Sequence, residues 1–392
     1  MGLERKLRYG MVGGGPDAFI GAVHRHAAAL DGEIELVAGS FSSSPEKSRL
    51  QGKELYLDQE RIYDTFEEMA VEEAKRPSGD RIDFVSIVTP NHLHFDVAQS
   101  FLNAGFHVIC DKPMTNSLES AEFLCRLVSE KDLVFALTHN YTGYPMVKQA
   151  RDLVMHGELG EIRKIVVEYP QGWLSTLLEE TGHKQAAWRS DPNQAGISSA
   201  LADIGTHAEN LAEYITGCQM EELLADFGTM VEGRLLEDDA SVLIRYQGGA
   251  RGILYASQIS AGEENNLRIR VYGTKSGLAW AQEHPNRLHI IRQDGPEKIY
   301  KRGNNYLSPA AVYGTRLPAG HPEAFIEAFA NIYKNAGRTI AAKISGLNPD
   351  PLDLDFPTVQ DGARGVNFLH TALKSHTERR WVDARYIAPE SA

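Results

Sequence analysis

Two polar residues near the middle of the chain have the spacing of an acid–base pair on one helix. In the stretch ALADIGTH, Asp203 and His207 stand four residues apart, so on a helix they project from one face about one turn from each other. Histidine has an ordinary pKa of about 6.5 and suits proton exchange near neutral pH. Taken alone, the stretch favours a simpler interpretation, a helix start at which Asp203 or Thr206 caps the first turn and His207 is half-buried.

A glycine-rich turn near the beginning of the sequence has the spacing that binds a dinucleotide. Gly13, Gly15 and Ala18 fit the pattern G-x-G-x-x-A between an apolar run and a helix-like pattern. The first glycine permits a tight turn, and the second removes the Cβ that would keep a pyrophosphate away from the backbone. Free N–H groups at the helix start, around Phe19 and Ile20, would then meet the phosphate charge.

The residues after the second strand-like run bear on which dinucleotide would bind. Sites of this kind usually carry an acidic residue there for the ribose 2′-hydroxyl. This chain instead has serines, Ser42 among them, and the cations Lys47 and Arg49, which could neutralise a 2′-phosphate. The sequence therefore tilts toward NADP, or toward use of both NAD and NADP. The alternative is that Ser44 caps a helix beginning near Pro45, with both cations solvated.

Alternating segments along the chain predict the elements that position these residues. From residue 7 to 138, near-continuous apolar runs alternate with helical patterns, which indicates βαβ units and a parallel sheet covered on both faces. Lys112 follows one such run and would stand at the carboxyl end of a strand. After residue 140, strand-like runs with little helical interruption predict a mostly antiparallel sheet. We expect an α/β protein with two domains, residues 1–140 and 141–392.

Composition excludes several classes of protein. The net charge of −13 argues against a nucleic-acid partner, because phosphate contacts need clustered Lys and Arg. Three cysteines without a CxxC pair predict neither a disulfide framework nor a zinc site, so we expect no metal and a reducing cytoplasm. The first ten residues lack the apolar core of an export signal, and nowhere do about 18 apolar residues run together, so no membrane insertion is expected.

Three further stretches complete a pattern with the glycine turn: TPNHLH at 89–94, CDKPMTNS at 110–117 and DIGTH at 203–207. In this order they resemble the Gfo/Idh/MocA oxidoreductases, and the resemblance covers nearly the whole chain. It implies an N-terminal Rossmann domain with a doubly wound parallel sheet and a C-terminal α+β domain with a large, open, mainly antiparallel sheet. It also implies NAD(P)-linked oxidation or reduction of a sugar, polyol or glycoside.

The resemblance places further cofactor-binding residues at the carboxyl ends of the parallel strands. They are Thr89, Pro90, Asn91, His94, Asp111, Lys112 and Asn140. The first three would lie beside the nicotinamide, and His94 would begin the next helix. Asp111 stands where the family usually has the longer glutamate. Without the resemblance, TPNHLH favours an ordinary strand-to-helix turn.

Hydride transfer from a carbinol carbon needs a group that exchanges the hydroxyl proton. On the resemblance, we expect His207 to exchange that proton and Lys112 to hydrogen-bond the reacting oxygen. Asp203 would orient the sugar or tune His207. Whether His207 or Lys112 is the formal base stays open.

A long segment, residues 170–199, separates the first strand of the second domain from ALADIGTH. Loops of this length are commonly functional, and aromatic faces with forked donors suit sugars. We therefore expect Trp188 and Arg189 to approach the substrate. On the resemblance, Tyr141, which follows Asn140, is expected there as well. The alternative is an oligomer arm or a surface cover.

Two other functions stay open at this stage. One is a glycoside hydrolase that keeps NAD tightly bound and uses transient oxidation to enable elimination, because oxidising a ring carbinol acidifies the neighbouring C–H. The other is a non-catalytic nucleotide-sensing protein.

An exposed sheet face would be costly to leave bare, so we expect a homodimer or homotetramer formed through the C-terminal sheet. The residues expected on that face are Val242, Ile244, Ile253, Tyr255, Ile269 and Val271. The alternative is that helices of the same chain cover them.

Overall fold

Residues 3–16 and 18–388, which the computed structural model describes, form two β-sheets with helices packed on them. The strands of the first sheet are β1 (Leu7–Gly13), β2 (Ile34–Ser40), β3 (Phe84–Val88), β4 (His107–Cys110) and β5 (Phe135–Leu137). The helices between and after them are α1 (Phe19–Ala29), α2 (Pro45–Glu54), α3 (Phe66–Lys75), α4 (His94–Asn103) and α5 (Leu118–Lys131). All strand pairs of this sheet are parallel, in the order β2-β1-β3-β4-β5. The order reverses between β1 and β3, which is where open parallel sheets bind ligands.

The second sheet has nine strands in the order β13-β12-β11-β10-β6-β9-β8-β7-β14. The strands are β6 (Ile162–Pro170), β7 (Met220–Gly228), β8 (Asp239–Tyr246), β9 (Arg251–Ser257), β10 (Arg268–Gly273), β11 (Gly277–Ala281), β12 (Arg287–Ile291), β13 (Lys298–Lys301) and β14 (Val382–Asp383). The helices of this part are α6 (Pro145–Met155), α7 (Lys184–Ser190), α8 (Pro192–Ala195), α9 (Thr206–Thr216), α10 (Pro309–Tyr313), α11 (Phe325–Ile344) and α12 (Val359–Glu378). Strands β6 and β9 run parallel, and the other pairs are antiparallel. The predicted fold class is confirmed.

Helices cover both faces of the parallel sheet, but not all of them come from the first part of the chain. Helices α3, α4 and α5, with the start of α12, cover one face. The other face is covered by α1 and by α11, whose Phe329, Tyr333 and Ile340 are buried beside the side chains of β1. The division into domains 1–140 and 141–392 stays a prediction, and its outer ends, residues 1–2 and 389–392, lie outside the described ranges.

The turn after β1 leaves no room for side chains. Gly13 has φ +87°, and a Cβ there would lie 2.7 Å from the carbonyl oxygen of Val88. Gly21, in the first turns of α1, is packed so closely that a Cβ would lie 2.4 Å from the Cα of Gly14. The close contact between helix and turn therefore falls on Gly21, three residues after Ala18.

The residues expected on an open sheet face do not share one face, and this prediction is wrong for four of them. Val242, Ile244, Ile269 and Val271 are at most 2% exposed, in the core between the second sheet and helices α6, α9 and α12. Ile253 and Tyr255 are half-buried on the opposite face. Helices of the same chain thus cover one face, and of the six expected residues Ile253 and Tyr255 lie on the uncovered one.

Gly21→Ala is expected to lower the stability of the protein. The new Cβ would meet the backbone of Gly14, so the cost is the about 1–3 kcal/mol typical of overpacking. Gly365→Ala is the matched control, because the Cβ it adds to α12 has no heavy atom within 4 Å among the described residues, its chain neighbours and the nearby backbone of its own helix aside. That control should keep or raise stability, since alanine favours helices by about 1 kcal/mol over glycine. Chemical denaturation compares the variants, and equal stability would contradict the packing argument.

Candidate active site

The parallel strands end at one edge of the first sheet, and the predicted site residues lie along it. Gly13 closes β1, Thr89 follows β3, Lys112 follows β4 and Asn140 follows β5. Because the carboxyl ends of parallel strands meet at one edge, residues far apart in the sequence become neighbours there.

Lys112 crosses from this edge to the second part of the chain. Its Nζ lies 2.9 Å from Oδ1 of Asp203 and 2.6 Å from the main-chain oxygen of the same residue. The side chains expose only 12% and 14% of their surface. An ion pair that is both buried and hydrogen-bonded fixes its two partners far more firmly than a solvated surface pair does.

Asp203 is the centre of the polar cluster. Its Oδ2 accepts hydrogen bonds from Arg189 Nε at 3.1 Å and from Gln258 Nε2 at 2.8 Å, in addition to the contact with Lys112. Burial raises the pKa of Asp203, but the charges of Arg189 and Lys112 outweigh it and hold the pKa below the usual range. Asp203 is therefore a fixed carboxylate rather than a proton carrier near neutral pH.

Neither Asp203 nor Thr206 caps a helix, so that simpler interpretation of DIGTH is wrong: Gly205 precedes α9 without a side-chain cap, and Thr206 Oγ1 donates to the carbonyl oxygen of Ala202 at 2.9 Å. Leu201–Gly205 forms one turn of π-helix that runs directly into α9. The start of this turn is held by Glu237, whose carboxylate accepts hydrogen bonds from Ser198 Oγ at 2.6 Å and from the N–H groups of Ser199 and Leu201 at 3.0 and 3.1 Å. Backbone N–H groups at a helix start are thereby satisfied by a carboxylate, which leaves Asp203 free to bind Lys112.

His207 lies among aromatic rings. Its Nδ1 is 3.4 Å from Nδ1 of His139, and the rings of Tyr141 and Tyr169 lie with their centroids 4.9 and 6.3 Å away. Burial, followed by the charge of Lys112, lowers the pKa of His207 well below its usual range. The imidazole is therefore neutral at neutral pH and can accept a proton.

Two of the predicted cofactor residues carry buried polar atoms with nothing to bind. Thr89 Oγ1 and Asn140 Nδ2 have no hydrogen-bond partner among the described residues. Unpaired buried polar groups are rare in folded proteins, and a bound group that supplied the partners would explain both. Together with the turn at Gly13, which has no space for a Cβ, these unpaired atoms make the edge suitable for binding a dinucleotide.

Two other predicted cofactor residues use their polar atoms inside the protein. His94 begins α4, and its ring nitrogens lie 2.7 and 2.9 Å from the carbonyl oxygens of Pro113 and Thr89. Asp111 accepts a 2.9 Å hydrogen bond from Thr138 Oγ1. Both residues therefore fix the loops that follow β3, β4 and β5.

The start of α1 presents the other predicted cofactor contacts. Ala18 precedes the helix and donates its N–H to the carbonyl oxygen of Gly15 at 3.1 Å. Phe19 and Ile20 form the first turn, and Phe19 exposes 69% of its surface. Among the described residues, the first turn is therefore partly exposed, as a phosphate-binding helix N-terminus must be.

The stretch after β2 resembles a capped helix start, the alternative given for it, more closely than a dedicated phosphate site. Ser44 caps α2 by accepting the N–H of Lys47. Arg49 lies 2.7 Å from Asp64 Oδ1 and forms an exposed ion pair. Ser42 is half-buried and Lys47 is exposed, so these two remain the candidates for contact with a ribose or its phosphate.

The long segment folds over the site. The guanidinium of Arg189 stacks 4.2 Å from the ring centroid of Trp188 while its Nε binds Asp203. On the other side, Asn91 Nδ2, next to Pro90, donates to the carbonyl oxygen of Ala195 at 3.3 Å. The segment thus connects the predicted cofactor edge with the Asp203 cluster.

Two residues of the site were not predicted from the sequence. His139 immediately precedes Asn140 at the end of β5, so the edge rule that indicated Asn140 applies equally to it. Gln258 follows β9, and the fold brings it to Asp203 from 55 residues away in the sequence.

Within residues 3–16 and 18–388, no helix has the length and apolar character needed to cross a bilayer. The same residues contain no group of three or more His, Cys, Asp or Glu side chains placed to hold a metal ion.

A glycine turn and a lysine at one edge of a parallel sheet, facing a carboxylate and a histidine on a second unit, define a dinucleotide-dependent oxidoreductase. Comparison with known proteins gives the family. Residues 7–139 match the oxidoreductase family with an NAD-binding Rossmann fold, and residues 147–279 match the GFO/IDH/MocA C-terminal domain. The chain belongs to the GFO/IDH/MocA oxidoreductases, which confirms the predicted family, the enzyme class and the NAD-binding domain.

Relatives match over nearly the full length. An uncharacterized oxidoreductase of Bacillus subtilis is 34% identical over 385 residues, covering 97% of this chain and 98% of its own. A crystal structure of an inositol dehydrogenase homologue from Azotobacter vinelandii, complexed with NAD+, has a TM-score of 0.93 at 36% identity and covers 97% of this chain and 98% of that one. Levoglucosan dehydrogenase of Pseudarthrobacter phenanthrenivorans is 27% identical over 261 residues, which cover 60% of this chain and 65% of its own.

Glu237→Ala is expected to loosen the turn that carries Asp203. Two backbone N–H groups and one hydroxyl lose their acceptor, so we expect a loss of about 1–3 kcal/mol in the free energy of unfolding. Glu232→Ala is the matched control, because Glu232 is exposed in the same connection between β7 and β8. Urea titrations measure both, and a Glu237 variant as stable as the Glu232 variant would show that the carboxylate does not hold the turn.

Proposed function

We propose that the protein oxidises a CH–OH group of a neutral cyclic polyol or sugar with NAD(P)+, and catalyses the reverse reduction. The observation that carries the proposal is the cluster of Lys112, Asp203 and His207 at the cofactor edge. A crystal structure related over the whole chain, the inositol dehydrogenase homologue complexed with NADH and myo-inositol, supports a cyclic polyol. Lys112 and Arg189 both bind Asp203, an arrangement that favours a neutral substrate over a phosphorylated one.

The nicotinamide, when bound, supplies the hydride acceptor. We assign its dinucleotide to the turn at Gly13 and Gly15 and to the start of α1, with Thr89 and Asn140 offering their unpaired polar atoms to the nicotinamide half. Ser42 and Lys47 lie on the ribose side. Because the charge of Lys47 could neutralise a 2′-phosphate, NADP is an alternative to NAD.

Each residue of the cluster has a distinct role in moving the hydroxyl proton. His207 accepts the proton at Nε2, because its Nδ1 is directed to His139. Lys112 hydrogen-bonds the reacting oxygen and stabilises negative charge on it as the proton leaves. Asp203 holds Lys112 and Arg189 in place and remains ionised throughout. Trp188, stacked on Arg189, and Tyr141, edge-on to His207, border the substrate.

Lys112→Met is expected to abolish turnover and to leave nucleotide binding in place. The variant removes the cation that stabilises the reacting oxygen, a contribution we place at about a hundredfold or more in kcat. Absorbance at the NADH band, with inositols, pyranoses and glycosides and with NAD+ and NADP+ in turn, measures the wild type and the variant. Lys131→Met, on the exposed end of α5, is the control.

The same panel separates the alternatives. A wild type that produces no reduced nucleotide with any substrate would contradict the proposal. Release of an aglycone without reduced nucleotide would instead indicate elimination on a retained NAD.

We also propose that two or more copies associate through the uncovered face of the second sheet. Large apolar side chains on this face expose between 41% and 49% of their surface: Leu243, Tyr272, Ile291 and Ile299. These side chains lie on β8, β10, β12 and β13, and the half-buried Ile253 of β9 lies beside Leu243 on the same face. A cytoplasmic location is supported by the free thiols of Cys110, Cys125 and Cys218.

Leu243→Glu is expected to break the assembly, because a buried unpaired carboxylate at the interface is costly. Light scattering should give the mass of a smaller species than the wild type at equal concentration. Leu235→Glu, at a site 75% exposed outside the strands, is the control and should keep the wild-type mass. A wild type with the mass of one chain, 43.4 kDa, would contradict the association.

A further inference from the structure

His139 and His207 form a pair of imidazoles deep in the site. Their Nδ1 atoms are 3.4 Å apart, and their rings meet edge to face with centroids 5.2 Å apart and an interplanar angle of 82°. His139 is 2% exposed and His207 is 7% exposed. Hydrogen bonds of catalytic groups are often long before substrate binds, so this contact is close enough to carry one proton.

Two neutral imidazoles that face each other through Nδ1 can hold only one proton between those atoms. A neutral ring has one N–H and one lone pair. If His207 carries the Nδ1 proton, its Nε2 is a lone pair and the ring is a base. If His139 carries the Nδ1 proton, Nε2 of His207 is protonated and the ring is an acid. The state of His139 therefore determines what His207 can do.

We propose that His139 is the positioning residue that sets the tautomer of His207 and takes over its Nδ1 proton during substrate oxidation. The inference rests on the proposed function and adds a second histidine to it. As the substrate O–H bond breaks, an Nε2–H bond forms on His207. The Nδ1–H bond of His207 breaks, and an Nδ1–H bond forms on His139. One proton enters the pair, and His139 becomes the cation, which later loses a proton to water. Reduction reverses each step.

The charges around the two rings favour this direction of transfer. The charge of Lys112 disfavours a positive charge on His207, whereas the charge of Asp203 favours one. A charge on His139 is favoured by Asp361 and Asp111 and disfavoured by Lys112. Burial lowers the pKa of both rings, that of His139 to about 4 and that of His207 well below its usual range. Tyr141 and Tyr169, which pack against His207, have pKa values raised by burial and stay neutral.

The tautomer can be measured without substrate or nucleotide. In the full-length protein labelled with ¹⁵N-histidine, we expect His207 in the Nδ1–H form. His139→Phe keeps a ring packed edge-on but removes the acceptor, so His207 should change to the Nε2–H form. His139→Asn restores an acceptor oxygen, so the Nδ1–H form should return. On acidification of the wild type, His139 should gain a proton before His207.

Turnover separates the two roles of His139. With the polyol that reacts fastest in the substrate panel, both variants should lose about tenfold or more in kcat, a modest share of what proton transfer contributes, with KM little changed. His139→Asn keeps the tautomer but cannot take the proton, so it should be as slow as His139→Phe. His156→Asn, at a side chain 73% exposed, is the control for both measurements.

Each result decides one part of the inference. Ring ¹⁵N shifts of His207 that are identical in wild type and His139→Phe would overturn the control of the tautomer. Wild-type kcat in His139→Asn, or protonation of His207 before His139, would overturn the transfer. A wild type without dehydrogenase activity but with the expected shifts would count against the proposed function and leave the control of the tautomer standing.

Discussion

The site depends on the ion pair between Lys112 and Asp203, which connects the two parts of the chain. Lys112 belongs to a loop at the edge of the parallel sheet, and Asp203 belongs to the π-helical turn that runs into α9. Each half of the chain alone carries an incomplete set of groups, a nucleotide edge on one side and a carboxylate with a histidine on the other. A short, buried ion pair aligns the two sets, and Arg189 and Gln258 fix the carboxylate from the opposite side.

This arrangement separates fixed charge from mobile protons. Asp203 is held as an anion by two cations, and the adjoining turn is held by Glu237, which accepts hydrogen bonds from its backbone N–H groups. The two histidines, by contrast, are kept neutral by burial. A site built this way presents the same charges to its substrate over a wide range of pH. His207 lies four residues beyond Asp203 where the turn runs into α9, and His139 faces it from the end of β5.

Most of the architecture and part of the site could be predicted from the sequence. Lys112 and Asp203 could be predicted because they lie in the motifs CDKPMTNS and DIGTH. The residues that follow the parallel strands could be predicted because the carboxyl ends of such strands meet at one edge of the sheet. Gln258 could not be predicted, because it meets Asp203 through a tertiary contact between the end of β9 and the turn Leu201–Gly205, 55 residues apart along the chain. The error on the sheet face concerns β8 and β10, where Val242 and Val271 alternate with polar neighbours such as Ser241 and Arg270, and the apolar set packs on the core. In β9 both alternating sets are apolar, with Leu254 on the buried face and Ile253 on the other, so the pattern of β9 alone does not tell which face is covered.

The covering of the parallel sheet by α11 bears on the order in which the molecule can be assembled. A ribosome makes the five strands and their connecting helices first, and these would form a sheet with one apolar face incompletely covered until residues 325–344 are made. A partly finished hydrophobic surface is the usual target of chaperones and the usual seed of aggregation. The nucleotide-binding half is therefore the first to be synthesised and among the last to be completed.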